Sequence, residues 1–258
     1  MGCRVGASAV AWGFLALCAP DAGAESAPSD GLTVSGGLGM TRADLRFRAP
    51  TARVDTRVDA LPTVAVGVAA WPERSIGLHA DVEVGLGASL TVPGTDRTLW
   101  YRVHRLDTGA TYRWSPLPGG DGLDVRLGLG LRGVLQSVQA QTPALLVESR
   151  VAGPALNVAV DKFLRSRRIV LSVGLTGAAP FFVRESPRDS GDPGRFLAWG
   201  ASARAGYSPS ARWGLTADVG TYEQRLSFRG EGTRAAGVSS SRVVDRFDSV
   251  RLAVHWQP

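Results

Sequence analysis

SIGLHADVEVGLGASL, residues 75–90, alternates apolar side chains with small, polar or charged ones along its whole length. The even-numbered positions are apolar, and the odd-numbered ones carry His79, Asp81 and Glu83 among glycines and serines. A period of two places successive side chains on opposite faces of a β-strand. The stretch therefore predicts one strand with an apolar and a polar face, and it predicts that Leu90 lies on the apolar face.

The same alternation recurs along the chain, and no segment shows the three-and-four spacing of an amphipathic helix. An all-β fold follows, with about ten strands, although eight or twelve also fit the less regular runs. The ten runs are residues 31–47, 61–71, 75–90, 99–114, 123–139, 151–162, 169–183, 196–207, 212–228 and 243–256.

The connections between these runs alternate in length. The even-numbered ones, such as residues 71–74 and 208–212, are short and turn-like, whereas the odd-numbered ones are on the whole longer and more polar. Residues 48–60, RAPTARVDTRVDA, are predicted to be the first of these long loops. Short turns at one end and long loops at the other are typical of an up-and-down antiparallel barrel with both termini at the short-turn end.

Strand length and aromatic placement favour a transmembrane barrel with a polar interior. The runs are longer than the usual strand of a soluble sheet and suit a tilted crossing of a bilayer. Four aromatic residues lie on the apolar parity at the short-turn end, where a membrane-interface girdle belongs. Phe196, Phe228 and Trp71 lie off that parity. The predicted interface aromatics are Trp114, Tyr207, Trp213 and Trp256.

The first 24 residues read as a cleaved secretory signal. An apolar run follows Arg4, and Ala22-Gly23-Ala24 is a small-residue cleavage pattern, so residues 25–258 are predicted to form the barrel domain. Both cysteines, Cys3 and Cys18, fall within the signal. The net charge of +6 is carried by scattered arginines, Lys162 being the single lysine, and this scatter argues against a nucleic-acid partner.

The polar parity of the strands predicts a network of charged side chains inside the barrel. Across the predicted hairpins, Arg113 would face Asp124, Glu83 would approach Arg105, Arg204 would lie beside Asp218, and Asp107 would lie diagonally from Arg132. Such cross-strand pairs contribute roughly 0.2–1 kcal/mol each. No catalytic residue, metal site or cofactor is predicted. The full set is His79, Asp81, Glu83, Arg105, Asp107, Arg113, Asp124, Arg126, Arg132, Arg204, Asp218 and Arg251.

The last strand, SVRLAVHWQP, places Val250, Leu252, Val254 and Trp256 on one face. It looks like the C-terminal assembly signal of the small outer-membrane β-barrel proteins of Gram-negative bacteria, although it ends two residues beyond the aromatic. The resemblance covers about residues 31–258 and rests on pattern. It implies an outer-membrane location with periplasmic termini, contact with outer-membrane lipid and lipopolysaccharide, and insertion by the barrel-assembly machinery.

Three classes of function remain open at this point. The first is a structural or interaction role, or restricted passage of small solutes, without enzymatic activity. The second is an outer-membrane hydrolase on the same barrel, either an omptin-like protease or a lipid-modifying enzyme. The third is a soluble exported barrel that binds an apolar ligand. Because long arginines share the interior, we expect little or no conductance through the barrel.

Overall fold

The computed structural model describes residues 31–91, 98–117, 122–139, 146–165, 167–186, 190–234, 237 and 239–258. The predicted signal, residues 1–24, lies outside this range. Within the described part of the chain, no helix is long and apolar enough to cross a membrane.

The described residues form twelve β-strands that build a ten-stranded barrel. Two barrel strands are each interrupted once, β3–β4 and β8–β9. The strands are β1 (Gly31–Ala49), β2 (Ala52–Trp71), β3 (Ile76–Gly85), β4 (Ala88–Thr91), β5 (Thr98–Leu117), β6 (Leu123–Val138), β7 (Glu148–Leu164), β8 (Ile169–Ala178), β9 (Phe182–Ser186), β10 (Asp192–Tyr207), β11 (Trp213–Arg229) and β12 (Ser240–Trp256).

Hydrogen-bonded neighbours run β3-β2-β1-β12-β11-β10-β8-β7-β6-β5, and pairing of β5 with β3 closes the ring. All of these pairs are antiparallel. The fragments β4 and β9 extend along β5 and β7 respectively. The predicted up-and-down antiparallel barrel of ten strands is thereby confirmed.

Both interruptions lie opposite a proline. The β2–β3 ladder ends at Thr63 and Gly85, one residue short of Pro62, whose carbonyl accepts from the Leu86 N–H. The β7–β8 ladder likewise ends one residue short of Pro154. The N and C=O of a strand residue face the same neighbour, so each proline removes a donor on the side where the ladder breaks.

The first connection is a tight turn, so the long loop predicted at residues 48–60 is wrong. Strands β1 and β2 pair as far as Ala49 and Ala52, with only Pro50 and Thr51 between them. The polar residues that suggested a loop belong to a hairpin that continues beyond the apolar part of the wall. We call this end of the barrel the long-strand end and the opposite end the short-turn end.

The outer wall carries the apolar side chains, as the alternation predicted. In β3 and just beyond it, Leu78, Val82 and Leu86 are exposed, and corresponding positions of the other strands continue the band. The prediction fails at Leu90, which is fully buried in the interior. Gly87 has a φ of +112° at the interruption, and the alternation changes sides there, so that Ser89 is exposed instead.

The interior has two different halves. Charged and small side chains fill the short-turn half, whereas the long-strand half contains an apolar core that includes Phe47, Leu61, Leu90 and Phe247. The off-parity aromatics belong inside: Phe196 and Phe228 pack at 5.7 Å between ring centroids, and Trp71 covers Gly77 near the short turns. The interior is therefore less uniformly polar than the sequence indicated.

Candidate functional site

In the short-turn half, Asp107 joins charges from three strands. Its Oδ2 accepts a hydrogen bond from Arg132 Nε at 2.9 Å, and its Oδ1 lies 3.5 Å from His79 Nε2. The β5–β6 register places Asp107 directly opposite Arg132, not on the diagonal that the sequence predicted. The carboxylate thus links β3, β5 and β6 on the inner wall.

Glu83 and Arg105 form a second pair in the same wall. They are register partners on β3 and β5, with Arg105 Nη1 3.4 Å from Glu83 Oε1. Thr41 also donates to Glu83, at 3.4 Å. The Arg105 guanidinium lies 5.0 Å from the ring centroid of Phe247, which projects from β12 on the far side of the interior. Arg132 makes the same kind of contact with Tyr222 of β11, at 5.2 Å.

On the opposite wall, Asp218 lies between two arginines. Arg204, its register partner, donates through Nε to Oδ1, and Arg251 Nη2 lies 3.4 Å from Oδ2. Nearby, His255 Nε2 and Thr216 Oγ1 are 2.8 Å apart. One carboxylate here is shared by two guanidiniums from neighbouring strands.

Arg126 pairs with Asp161, a residue absent from the predicted set. Arg126 Nη2 donates to Asp161 Oδ1 at 2.8 Å, and Arg126 Nε lies 2.6 Å from Oδ2, so the guanidinium and the carboxylate form a close ion pair with one charge-assisted hydrogen bond. Asp161 has the inward parity of Asn157 in β7, so the alternation alone could have identified it.

The predicted contact between Arg113 and Asp124 is wrong. The register sets Arg113 opposite Arg126, because an irregularity between Trp114 and Leu117 shifts the hairpin. Asp124 instead accepts from Ser115 Oγ at 2.6 Å, and Arg167 lies 3.9 Å away. Arg113 donates to the Arg74 carbonyl and stacks 4.6 Å from the Trp71 ring centroid.

Asp81 lies in the same interior, between the two walls' charged pairs. It covers Gly67 so closely that a Cβ on that glycine would lie 2.2 Å from Asp81 Oδ1. The charged set therefore includes β10, β11 and β12 on one wall and β3, β5, β6 and β7 on the other, with small residues making room for it.

A buried polar cluster closes the barrel on the long-strand side of these charges. None of its residues belongs to the set predicted from the sequence. Asp245 Oδ2 accepts from Gln136 Nε2 at 2.7 Å and from Gln224 Nε2 at 2.9 Å. Tyr101 donates to Gln136 Oε1 at 3.1 Å. Gln136 on β6 and Asp245 on β12 are five strands apart in either direction around the ring. Their hydrogen bond therefore spans the diameter of the barrel.

At the long-strand end, a connecting segment contributes a cap. Arg234 is nearly enclosed, lies 3.5 Å from Glu185 Oε1 and stacks 4.0 Å from the ring centroid of Phe47. The Ser190 N–H donates to Glu185 Oε2 at 2.6 Å. Arginine, glutamate and the apolar core together cover the interior from this side.

The predicted interface aromatics all lie on the outer wall near the short turns. Trp114, Tyr207, Trp213 and Trp256 are exposed, and the last two are register partners whose rings lie 6.4 Å apart. Toward the other end, Trp100, Trp199 and Phe181 also face outward. The apolar band is thus bordered by aromatic side chains at two levels.

Inside the barrel, carboxylates pair with arginines and pack among small side chains. In the described ranges, no group of three His, Cys, Asp or Glu side chains could hold a metal ion. Each of Asp107, Asp161 and Asp218 accepts a charge-assisted hydrogen bond from an arginine. The site orders the interior of the barrel.

Comparison with known proteins gives similarity in structure alone. No family model and no curated protein matches the chain. The outer membrane protein OprG from Pseudomonas aeruginosa is similar over 88% of this chain and 96% of its own, with 11% identity and a TM-score of 0.40. The transport unit of the autotransporter AIDA-I from Escherichia coli is similar over 88% and 90%, with 9% identity and a TM-score of 0.43.

Proposed function

We propose that the chain is a non-conducting outer-membrane barrel that acts as a structural or interaction protein, without enzymatic activity. The observation that carries this proposal is the hydrogen bond between Gln136 and Asp245 across the full diameter. Side chains on opposite walls meet at that level, and Tyr101 and Phe247 beside them are fully buried. The interior of a small ten-stranded barrel is nearly filled by its own side chains. Restricted passage of small solutes is therefore the weaker alternative.

The outer wall supports the membrane location. The apolar band with its aromatic borders has the form that a bilayer requires of a transmembrane barrel. Both termini of the described barrel lie at the short-turn end, which we place in the periplasm, with the long-strand end facing outward. Outer-membrane lipid and lipopolysaccharide would surround the wall, and the barrel-assembly machinery would insert it through the final strand.

The proposal is tested by recording currents in planar bilayers from the purified, folded protein. We expect no stable single-channel steps. The variant Tyr101→Ala/Phe247→Ala removes the two largest fully buried side chains among the described residues. Where its electrophoretic mobility shows that it folds, we expect current to appear. Large, stable steps from the unmodified protein would contradict the closed interior and favour a pore.

A further inference from the structure

The outer wall beyond the apolar band shows a graded charge pattern across β11, β12, β1 and β2. The row Val219, Val250, Met40 and Pro62 is apolar. Two rows higher, charges alternate between strands: Glu223, Arg246, Asp44 and Arg57. Arg57 Nε and Asp44 Oδ1 are 2.6 Å apart there. Alternating charges directly opposite one another stabilise neighbouring strands.

Nearer the strand ends, one row carries arginines on three successive strands. Arg242, Arg48 and Arg53 are successive register partners on β12, β1 and β2. Asp55 pairs with Arg48 at 2.5 Å and with Arg53 at 2.9 Å. Although partial burial opposes it, hydrogen bonds from these two arginines lower the pKa of the Asp55 carboxyl. The single carboxylate of Asp55 thus pairs with two guanidiniums. The three arginines also face one another across neighbouring strands, and like charges in that position destabilise the isolated protein.

Arg48 and Arg242 border an open cleft of about 490 Å³, within the size range of ligand sites. In the described chain, no carboxylate lies within ion-pair distance of Arg195, Arg229 or Arg242; Asp192 is the register partner of Arg229 but does not pair with it. The residues that give the cleft its chemistry are Arg48, Arg195, Arg229, Arg242, Ser227 and Ser240.

We propose that this arginine cleft binds a phosphorylated saccharide. Planar guanidiniums pair bidentately with phosphate oxygens, and the two serine hydroxyls can exchange hydrogen bonds with sugar hydroxyls. Arg242 lies eight positions before Val250 of the apolar band, which is about 26 Å along the strand. The cleft therefore lies above the hydrocarbon, at the level of head-group sugars. This inference rests on the proposed function, since it names the partner of the long-strand end.

The test is titration of the detergent-purified full chain with five probes. They are phosphorylated lipopolysaccharide, the same material dephosphorylated, a lipid-free phosphorylated core saccharide, inorganic phosphate and a single-stranded oligonucleotide. The variant Arg195→Ser/Arg229→Ser/Arg242→Ser should weaken binding of the phosphorylated form by about tenfold or more. The dephosphorylated form should bind the unmodified protein correspondingly weakly. A matched control, Arg102→Ser/Arg150→Ser/Arg184→Ser, removes the same charge from exposed positions on other strands and should retain affinity.

Equal losses in the two triple variants, or no loss in either, would overturn the proposal. Equally tight binding of inorganic phosphate would reduce the site to a simple anion site and overturn the saccharide assignment, as would equally tight binding of a single-stranded oligonucleotide. A lipid-free phosphorylated core saccharide that binds like the intact glycolipid would support a site for the sugar itself. The binding assay does not measure current. A negative binding result therefore does not contradict the closed interior, and a conducting barrel does not contradict a positive binding result.

Discussion

At the residue scale, Leu86 and Leu90 have the same parity in the sequence but opposite positions in the barrel wall. Leu86 is exposed on the outer face, whereas Leu90 is fully buried in the same apolar core as Leu61 and Tyr101. Lipid can fill the space left by truncating an outer residue, but a closed core cannot collapse completely around a missing leucine.

We therefore expect Leu90→Ala to lower the free energy of unfolding by about 2–5 kcal/mol. The matched variant Leu86→Ala should lower it much less. Urea unfolding in phospholipid vesicles measures both. Equal losses, or a larger loss at Leu86, would show that both leucines face lipid and that the alternation of residues 75–90 continues unbroken.

At the element scale, the sequence predicted the strands well because their alternation reports directly which face is buried. The interruptions of β3–β4 and β8–β9 could not be predicted from the sequence. A proline in β2 acts on β3 only through a register that aligns Pro62 with Leu86, and no local pattern in residues 75–90 shows that alignment. Likewise, the charges of Arg53 and Asp55 suggest a loop in the sequence. In the structure both residues lie on β2 of a long hairpin, where its outer wall is exposed to solvent.

The interruption between β3 and β4 depends on Gly87. Its φ of +112° is strained for any L side chain, and a Cβ there would lie 2.4 Å from the Trp100 ring. We expect Gly87→Ala to lower the free energy of unfolding by about 1–3 kcal/mol. Gly36→Ala is the control, since a Cβ at Gly36 meets nothing within 4 Å. A harmless Gly87→Ala in the same vesicle assay would contradict this account of the break.

At the scale of the whole molecule, the hydrogen-bond partners that meet across the interior could not be predicted from the sequence. The parity of Asp245 matches that of Arg251 in β12, so the alternation places both inside. Which side chain it meets depends on ring size and on strand order around the ring. Gln136 is 109 residues away along the chain and becomes a neighbour only when ten strands close.

This closure predicts energetic coupling between opposite walls. In a double-mutant cycle of Gln136→Ala and Asp245→Ala, we expect a coupling of about 0.5–3 kcal/mol, the range for residues in one hydrogen-bond network. Gln136→Ala combined with Thr216→Ala, whose hydroxyl contacts His255 instead, should be additive within about 0.5 kcal/mol. Vesicle unfolding of each single and double variant supplies the numbers. If the stability losses of Gln136→Ala and Asp245→Ala were additive, the two walls would not be in contact. Water would then fill the interior and separate the two side chains.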